Sequence, residues 1–146
     1  MPLHYRDSGR VHALYLAAPY SDADQAVRAA RALLASQCAA WLTAMGHNVI
    51  SPLSMGHHMA TAGQEIGLEL PVEWARWRVV CLRMLEACDG LAVLMLEGAA
   101  ESRGVNFELG HARSLGMPCN QLRPVFPGEE MEGGCPFAVV QNPEWW

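Results

Sequence analysis

The chain has 146 residues, of which 51% are hydrophobic and 17% are charged, and its formal net charge is −5. This length and composition predict one compact domain with a sizeable core and argue against a disordered chain. The negative charge argues against a nucleic-acid polymer as partner, because binding to its backbone needs clustered basic side chains. No apolar run approaches the roughly 18 residues that cross a bilayer, and the start of the chain lacks the apolar centre of a signal peptide. We therefore expect a cytoplasmic protein that binds no membrane.

The cysteines predict buried free thiols. They form an odd set without a CxxC pair, which suits neither a disulfide framework nor a zinc site. The five positions are Cys38, Cys81, Cys88, Cys119 and Cys135.

A short apolar run at residues 11–18 (VHALYLAA) predicts the first strand, because it is long enough for a buried strand and too short for a helix. In the turn that follows, Ser21 or Asp22 is placed to cap a helix and to leave its first amides facing the turn. This helix is predicted over residues 23–45 and ends at Gly46, as is typical of a C-terminal glycine. Its predicted apolar face consists of Ala26, Ala30, Leu33, Leu34, Cys38, Trp41, Leu42 and Met45.

The next segment completes a β-α-β unit. Residues 47–51 (HNVIS) predict a second strand, closed by Pro52 and parallel to the first through a right-handed crossover. Residues 53–70 have a mixed pattern with several glycines, and a loop this long in a compact domain is more often functional than idle. We interpret them as a lid-like loop that contains His57, and we place Pro71 in the first turn of the next helix.

The second half of the chain alternates helices and strands in the same way. Residues 91–96 (LAVLML) are the clearest buried strand, residues 104–115 predict a helix, and residues 117–122 predict a fourth parallel strand. A short fifth strand is predicted at residues 137–140. The helix before residue 91 ends at an Asp89-Gly90 break, and its predicted buried stripe consists of Trp74, Trp77, Cys81, Leu85 and Cys88.

This order predicts a single domain over residues 1–146 with a three-layer α/β fold, in which helices cover both faces of a parallel sheet. In such sheets ligands bind beyond the carboxyl ends of the strands. Residues 19–22, the loop after Ser51 and residues 97–108 are therefore expected to meet around one crevice.

Glu108 is the unexpected residue in this scaffold. On a helix over residues 104–115 it shares a face with apolar side chains, because positions three and four apart are neighbours. A carboxylate turned towards the core costs several kcal/mol unless it is partnered or faces a cavity. The other members of that face are Val105, Leu109, Ala112 and Leu115.

The residues before Glu108 favour an anion or another polar ligand. Ser102 can cap the helix, Gly104 allows a ligand to approach the backbone closely, and a helix N-terminus favours a phosphate or carboxylate. On spacing alone the alternative is a structural loop, with Glu108 satisfied by an arginine or by backbone.

Several segments together resemble the nucleoside 2-deoxyribosyltransferase-like superfamily, in particular its uncharacterised branch with a YLAxPYS opening. They are YLAAPYS at residues 15–21, HNVISP, LEACDGLAVLML and ESRGVNFELGHARSLGMP, within residues 11–123. The SxGVxxELGxA pattern is the most specific of these. The resemblance implies a flavodoxin-like strand order of 2-1-3-4-5, enzymes without a cofactor, and cleavage of the N-glycosidic bond of nucleosides or nucleotides. It also implies a homodimer or higher homo-oligomer, and two terminal tryptophans, Trp145 and Trp146, would suit packing on a partner subunit.

Carried over by position, the resemblance implies that Glu108 is a nucleophile that attacks the anomeric carbon, as in retaining glycoside chemistry. Tyr20 and Ser21 match a loop that contacts sugar or phosphate, and Gly104 matches the motif glycine. Ser102 stands where monophosphate N-glycosidases have a phosphate-contacting serine, which favours a nucleoside monophosphate over a free nucleoside.

One position departs from the family pattern. Where the family commonly has an Asp that helps to protonate the leaving base, this chain has Cys81, and a thiol holds its proton to about pH 8.5. Asp89, Glu73 or the histidine His57 of the lid-like loop could protonate the base instead. The alternatives for these residues are a turn position for Asp89 beside Gly90 and a surface position for His57.

The sequence also bears on metal binding, on a non-catalytic function and on dinucleotide binding. Glu108 and His111 have the ExxH spacing of a metal site, but a second such pair is missing from the sequence, so we predict no metal. A nucleotide-sensing or interaction module that binds a ligand without catalysis is the rival to an enzyme, because of Cys81. A dinucleotide-binding domain is disfavoured because no GxGxxG follows the first strand.

Overall fold

The structure is a computed structural model that describes residues 3–129 and 132–140. Along the chain its elements are β1 (Leu14–Ala17), α1 (Gln25–Ala44), β2 (Val49–Ile50), α2 (Pro52–Glu65), α3 (Trp74–Glu86), β3 (Gly90–Leu94), α4 (Arg103–Ser114), β4 (Cys119–Pro124), a short 3-10 segment (Glu132–Gly134) and β5 (Phe137–Val139). Within the described residues, no helix is both long enough and apolar enough to cross a membrane.

The strands form one sheet in the order β2-β1-β3-β4-β5, which is the predicted order. The first four strands run parallel, with Leu14 opposite both Val49 and Gly90, and Leu91 opposite Cys119. β5 is antiparallel to β4, a direction that the prediction of a short fifth strand left open. A parallel neighbour needs a long crossover, usually a helix, and the described part of the connection after β4 contains only the 3-10 segment.

Helices cover both faces of the sheet, as predicted. Alternate residues of β1 point to opposite faces, so that Leu14 and Leu16 belong to one core while Tyr15 and Ala17 belong to the other. The first core is closed by α1, and the second by α3 and α4. The described structure is therefore a three-layer α/β fold.

α1 starts and packs slightly differently from the prediction. Its N-cap is Asp24, whose side chain accepts a hydrogen bond from the amide of Ala26 at 2.9 Å, instead of Ser21 or Asp22. Its buried residues are Ala32, Ala35, Cys38 and Leu42, whereas the predicted face members Leu33 and Met45 are exposed. The predicted stop is confirmed, because Gly46 has a φ of +97°, which favours glycine.

The stretch predicted as a lid-like loop is largely helical. α2 occupies Pro52–Glu65, with Ser51 as N-cap and Pro52 in the first turn, where a missing amide proton costs nothing. The interpretation of residues 53–70 as a loop is wrong because two glycines and a mixed polar pattern hid a helix of modest amphipathicity. Pro71 is also misplaced in the prediction, since α3 begins at Trp74 and residues 66–73 form the connection.

The amino-terminal segment crosses the end of the sheet opposite to the predicted crevice. Leu3 is buried, the amide of His4 donates to Asn120 Oδ1 at 3.1 Å, and the amide of Arg6 donates to the carbonyl of Asp89 at 2.8 Å. Cys38, Cys81 and Cys88 are buried thiols outside any disulfide, as predicted, whereas Cys119 is only half-buried. The terminal tryptophans Trp145 and Trp146 lie outside the described residues.

Candidate functional site

A cavity of about 110 Å³ lies at the carboxyl edge of the sheet. It is lined by the end of β1 and the turn after it, by α2, by the connection before α3, by α3 itself and by the start of α4. This is the edge at which α/β sheets bind ligands. The predicted meeting of three separated segments around one crevice is therefore confirmed.

Six of the seven predicted site residues line this cavity. They are Tyr20, Ser21, His57, Ser102, Gly104 and Glu108. Their chemical roles stay predictions, but the structure brings their side chains or backbone to one place.

Glu108 lies on the apolar face of α4 and is only 6% exposed. Among the described residues its carboxylate forms no ion pair. The alternative in which an arginine pairs with Glu108 is therefore not observed there. Burial raises the pKa of Glu108 to about 7, although the nearby Tyr15 hydroxyl lowers it in part. The cavity therefore holds a carboxylate that changes charge near neutral pH.

Two buried groups surround this carboxylate. Tyr15 of β1 and Cys81 of α3 line the same cavity, and both interact electrostatically with Glu108. Within the described residues the buried Tyr15 hydroxyl makes no hydrogen bond of normal geometry, but it lies close enough to lower the pKa of Glu108 in part. Burial is the main reason that the pKa of Cys81 is raised to about 11, which keeps the thiol protonated at neutral pH.

Sequence reasoning missed Tyr15 as a site residue because the whole of β1 reads as an apolar run. The two-residue period of a strand would have indicated it, since Tyr15 and Ala17 must face the same helix layer as Glu108. Tyr15 is thus the residue that connects the first strand with the unexpected carboxylate.

The mouth of the cavity is held by hydrogen bonds between separate segments. Tyr20 Oη and His57 Nδ1 are 3.0 Å apart and connect the turn after β1 with α2. The Ser21 hydroxyl donates to the carbonyl of Val72 at 3.2 Å, and Trp77 Nε1 donates to the carbonyl of Pro71 at 2.7 Å. His57 is therefore a helical residue fixed at the mouth, not part of a mobile lid.

Gly104 is explained by a tryptophan. A Cβ at this position would lie 3.1 Å from Cε3 of Trp74, so the indole ring occupies the space that the sequence interpretation reserved for a ligand. Trp74 also packs against Phe107, with ring centroids 6.0 Å apart. The expectation that Gly104 allows close approach of a ligand is corrected: the glycine allows close approach of Trp74, which itself lines the cavity.

Ser102 is the N-cap of α4, as predicted, and accepts a hydrogen bond from the amide of Val105 at 3.2 Å. Its hydroxyl proton remains for another acceptor. Among the described residues that line the cavity, none is a lysine or an arginine, and Glu108 is the only carboxylate. An anionic ligand would find hydroxyl groups and a helix end here, but no cationic side chain in the lining.

The cavity lies within the part of the chain that matches a protein-family model. Residues 12–122 match a family model described as "Domain of unknown function (DUF1937)". The chain belongs to the DUF1937 family. The comparison with curated proteins found no match. The matched range of this DUF1937 domain contains every residue that lines the cavity, from Tyr15 to Glu108.

Asp89 is the one predicted site residue of this DUF1937 domain that does not line the cavity. It precedes β3, where its carboxylate accepts a hydrogen bond from the amide of Ala13 at 3.0 Å and forms ion pairs with Arg6 at 3.7 Å and Arg10 at 3.6 Å. About 15 Å of strand separates it from the carboxyl edge. The prediction that Asp89 acts in the crevice is therefore wrong, because the residue anchors the opposite edge of the sheet.

The structure also shows the positions of Glu73, another proposed proton donor, and of His111, the second residue of the ExxH pattern. Glu73 is exposed and does not line the cavity. His111 Nε2 lies 3.1 Å from a carboxylate oxygen of Glu86, so it faces α3 instead of sharing a ligand with Glu108. Among the described residues, no group of three or more His, Cys, Asp or Glu side chains is arranged to hold a metal ion.

Proposed function

We propose that this DUF1937 domain cleaves the N-glycosidic bond of a nucleoside or nucleoside 5′-monophosphate, with Glu108 as the nucleophile. The observation that carries the proposal is an unpaired, buried carboxylate that faces a cavity lined by planar side chains and hydroxyl groups. The resemblance to the nucleoside 2-deoxyribosyltransferase-like superfamily supports it, since the strand order is the one which that resemblance implies.

The chemistry uses Glu108 in its ionised form. A carboxylate oxygen attacks the anomeric carbon, the bond from that carbon to the base nitrogen breaks, and its electron pair leaves with the base. Water or a second base then attacks the same carbon of the glycosyl ester and returns an electron pair to Glu108. Apolar walls around the carboxylate favour this sequence, because they exclude the water that would otherwise solvate it.

The residues at the mouth supply polar contacts to the sugar. Hydroxyl groups of Tyr20, Ser21 and Ser102 line the cavity, and each can exchange hydrogen bonds with sugar hydroxyls. A 5′-phosphate would bind near Ser102 and the N-terminus of α4, where helix amides favour an anion. Free nucleosides and their 5′-phosphates are therefore both candidate substrates, and the Ser102 match favours the phosphates.

The test is a panel of ribonucleosides, deoxyribonucleosides and their 5′-monophosphates, incubated with and without a free acceptor base and followed by chromatography. We expect base release that is lost in Glu108→Ala and retained in Glu101→Ala, a matched change at an exposed glutamate. A new nucleoside in the presence of acceptor base would assign transfer, and its absence would assign hydrolysis. Activity that survives Glu108→Ala unchanged would remove Glu108 from the mechanism.

The second candidate is a module that binds a nucleotide without cleaving it. Cys81 favours this reading, because a thiol beside Glu108 replaces the carboxylic acid that the resemblance would place there. The same panel separates the two functions: binding by calorimetry without any release of base would support the binding module.

A further inference from the structure

The described lining of the cavity contains a side chain that can become negatively charged but no lysine or arginine to balance it. Glu108 is its only carboxylate among the described lining residues, and no lysine or arginine lies in that lining. Arg31, the arginine near the mouth, points its guanidinium at the backbone carbonyls of Ser21 and Glu97, both at 3.0 Å. Once Glu108 is ionised, the cavity therefore carries an unbalanced negative charge in a largely apolar setting.

Among the described residues that line the cavity, no carboxylic acid stands beside Glu108 to protonate a leaving group. The neighbouring protons belong to Tyr15 and Cys81, and burial raises the pKa of both groups further above neutrality. The imidazole of His57 also lines the cavity, and its Nδ1 is engaged by the Tyr20 hydroxyl at the mouth, 3.0 Å away. A base that is neutral in the substrate would have to leave as an anion, in a cavity whose described lining contains no lysine or arginine to stabilise it.

Aromatic side chains form part of the cavity wall. Trp74, Trp77 and Tyr20 line the cavity, and the faces of such rings attract cationic groups. Two of the rings are fixed in place, because Trp77 Nε1 is bonded to the carbonyl of Pro71 and the ring of Trp74 is seated against Gly104. Aromatic side chains together with one carboxylate favour a ligand that is both planar and positively charged.

We infer that the substrate of this site is an N-glycoside whose base is cationic, with the positive charge on the ring that bears the sugar, as in a pyridinium or N7-alkylpurinium nucleoside. The inference rests on the proposed function and narrows its substrate class. Such a base departs without taking up a proton, so its cleavage requires no acid beside Glu108.

The reaction balances without an external acid. A Glu108 oxygen bonds to the anomeric carbon while the bond from that carbon to the base nitrogen breaks, and its electron pair neutralises the cationic ring. Water then attacks the anomeric carbon, the ester bond returns its electron pair to Glu108, and one proton is released to solvent. The products are a free sugar, a neutral base and a proton.

The first experiment compares 7-methylguanosine with guanosine, and nicotinamide riboside with inosine, in both base release and proton release. General acid catalysis contributes roughly 10²–10⁴-fold, so we expect kcat/KM for the cationic substrates to exceed that of the neutral ones by about 100-fold. A ratio below about tenfold would overturn the inference while leaving the proposed cleavage intact. If the neutral substrates are cleaved and lose their activity in His57→Gln, a histidine acid serves the site and the inference falls.

A change at Cys81 tests whether the preference for cationic substrates arises from the missing acid or from the general lability of cationic nucleosides. Cys81→Asp places a carboxylic acid beside Glu108 and should raise the guanosine to 7-methylguanosine ratio of kcat/KM at least about tenfold. The matched variant Cys81→Asn provides a polar side chain without an acidic proton and should not raise the ratio. An equal rise in both variants, or none in a folded Cys81→Asp protein, would overturn the inference.

A binding experiment keeps the test independent of catalysis. The probes are 1-methylnicotinamide, a cation that has no sugar to lose, and neutral nicotinamide, both measured by calorimetry at pH 8. We expect the cation to bind at least about tenfold more tightly, with the preference reduced in Glu108→Gln, because the charge attraction is removed. Cation preference without cleavage of any nucleoside would support the ligand class and reject the proposed reaction. No preference for the cation would overturn the inference, whatever is cleaved.

Discussion

Glu108 is held at a cost to the fold. Its carboxylate is buried without an ion pair among the described residues, and its pKa is raised from 4.5 to about 7. Each pKa unit corresponds to about 1.4 kcal/mol, so the ionised form lowers the free energy of unfolding by on the order of 3 kcal/mol above neutral pH. A residue that destabilises the folded state in this way is typical of a functional site.

Glu108→Gln should therefore stabilise the protein in a pH-dependent manner. Between about pH 4.5 and 7 the folded state binds more protons than the unfolded state, so the stability of the natural protein falls as the pH rises through this window. The glutamine variant lacks this fall, and its gain should be small at pH 5 and on the order of 3 kcal/mol at pH 8. Urea unfolding at both pH values measures the difference. The exposed Glu101→Gln serves as control, and a gain for Glu108→Gln that is equal at both pH values would contradict the expectation.

Asp89 is the opposite case, a buried carboxylate with partners. Burial acts to raise its pKa, but the amide of Ala13 and the guanidinium groups of Arg10 and Arg6 lower it overall. Its contribution to stability is thus present above its unfolded pKa near 3.8 and is lost as the pH falls through its lower folded value.

Asp89→Asn should destabilise the fold and leave the cavity chemistry intact. Loss of one partner of a buried ion pair costs about 3–5 kcal/mol, and asparagine keeps an oxygen for the amide of Ala13, so we expect about 2–3 kcal/mol. Thermal unfolding at pH 7 measures the loss. Base release per folded molecule should match that of the natural protein, and a selective loss of activity in folded Asp89→Asn would restore this residue to the site.

At the scale of the elements, the sequence pattern predicted best those helices and strands whose formation depends on residues close together in the chain. β3 and α4 were predicted closely. An unbroken apolar run indicates a buried strand, and a serine cap followed by an apolar stripe indicates a helix. α2 was missed because its glycines and polar residues hide the helical period, and its stability comes from packing against α1, as in the 2.7 Å contact between Ser36 and Ser54. The direction of β5 depends on pairing with β4, which no local pattern specifies.

The two glycines of α4 provide a matched pair for testing the contact with Trp74. Alanine in place of a helical glycine adds about 0.5–1 kcal/mol of stability when there is room for the methyl group. Gly110 has no neighbouring atom within 4 Å of the added Cβ, whereas Gly104 would place it 3.1 Å from the indole of Trp74. We expect Gly110→Ala to be stabilised by that amount in urea, and Gly104→Ala to show no gain together with a weaker ligand interaction. Equal gains in the two variants would mean that the indole moves away at no cost.

At the scale of the whole molecule, the site depends on contacts that sequence reasoning could place only in outline. The carboxyl-edge rule predicted where the segments after β1, β2 and β3 meet, and it placed Tyr20, Ser102 and Glu108 together. Applied to Asp89, the same rule excludes it from the crevice, because the residue precedes the predicted strand and therefore lies at the amino end of the sheet. The rule could not predict Trp74 behind Gly104, which follows from the packing of α3 on α4.

Self-association is expected from the exposed apolar surface of this chain. α2 and the connection after it expose several large apolar side chains, which suits an interface with a second copy: Met55, Met59, Ile66 and Leu68. We expect a homodimer in light scattering at micromolar concentration, and a shift towards the monomer in Ile66→Asp, because a charge at that position would have to be desolvated in the interface. Val11 is 80% exposed and lies before β1, away from α2, so Val11→Asp is the control that should leave the dimer unchanged. A monomer for the natural protein, or equal dissociation of both variants, would refute an interface on α2.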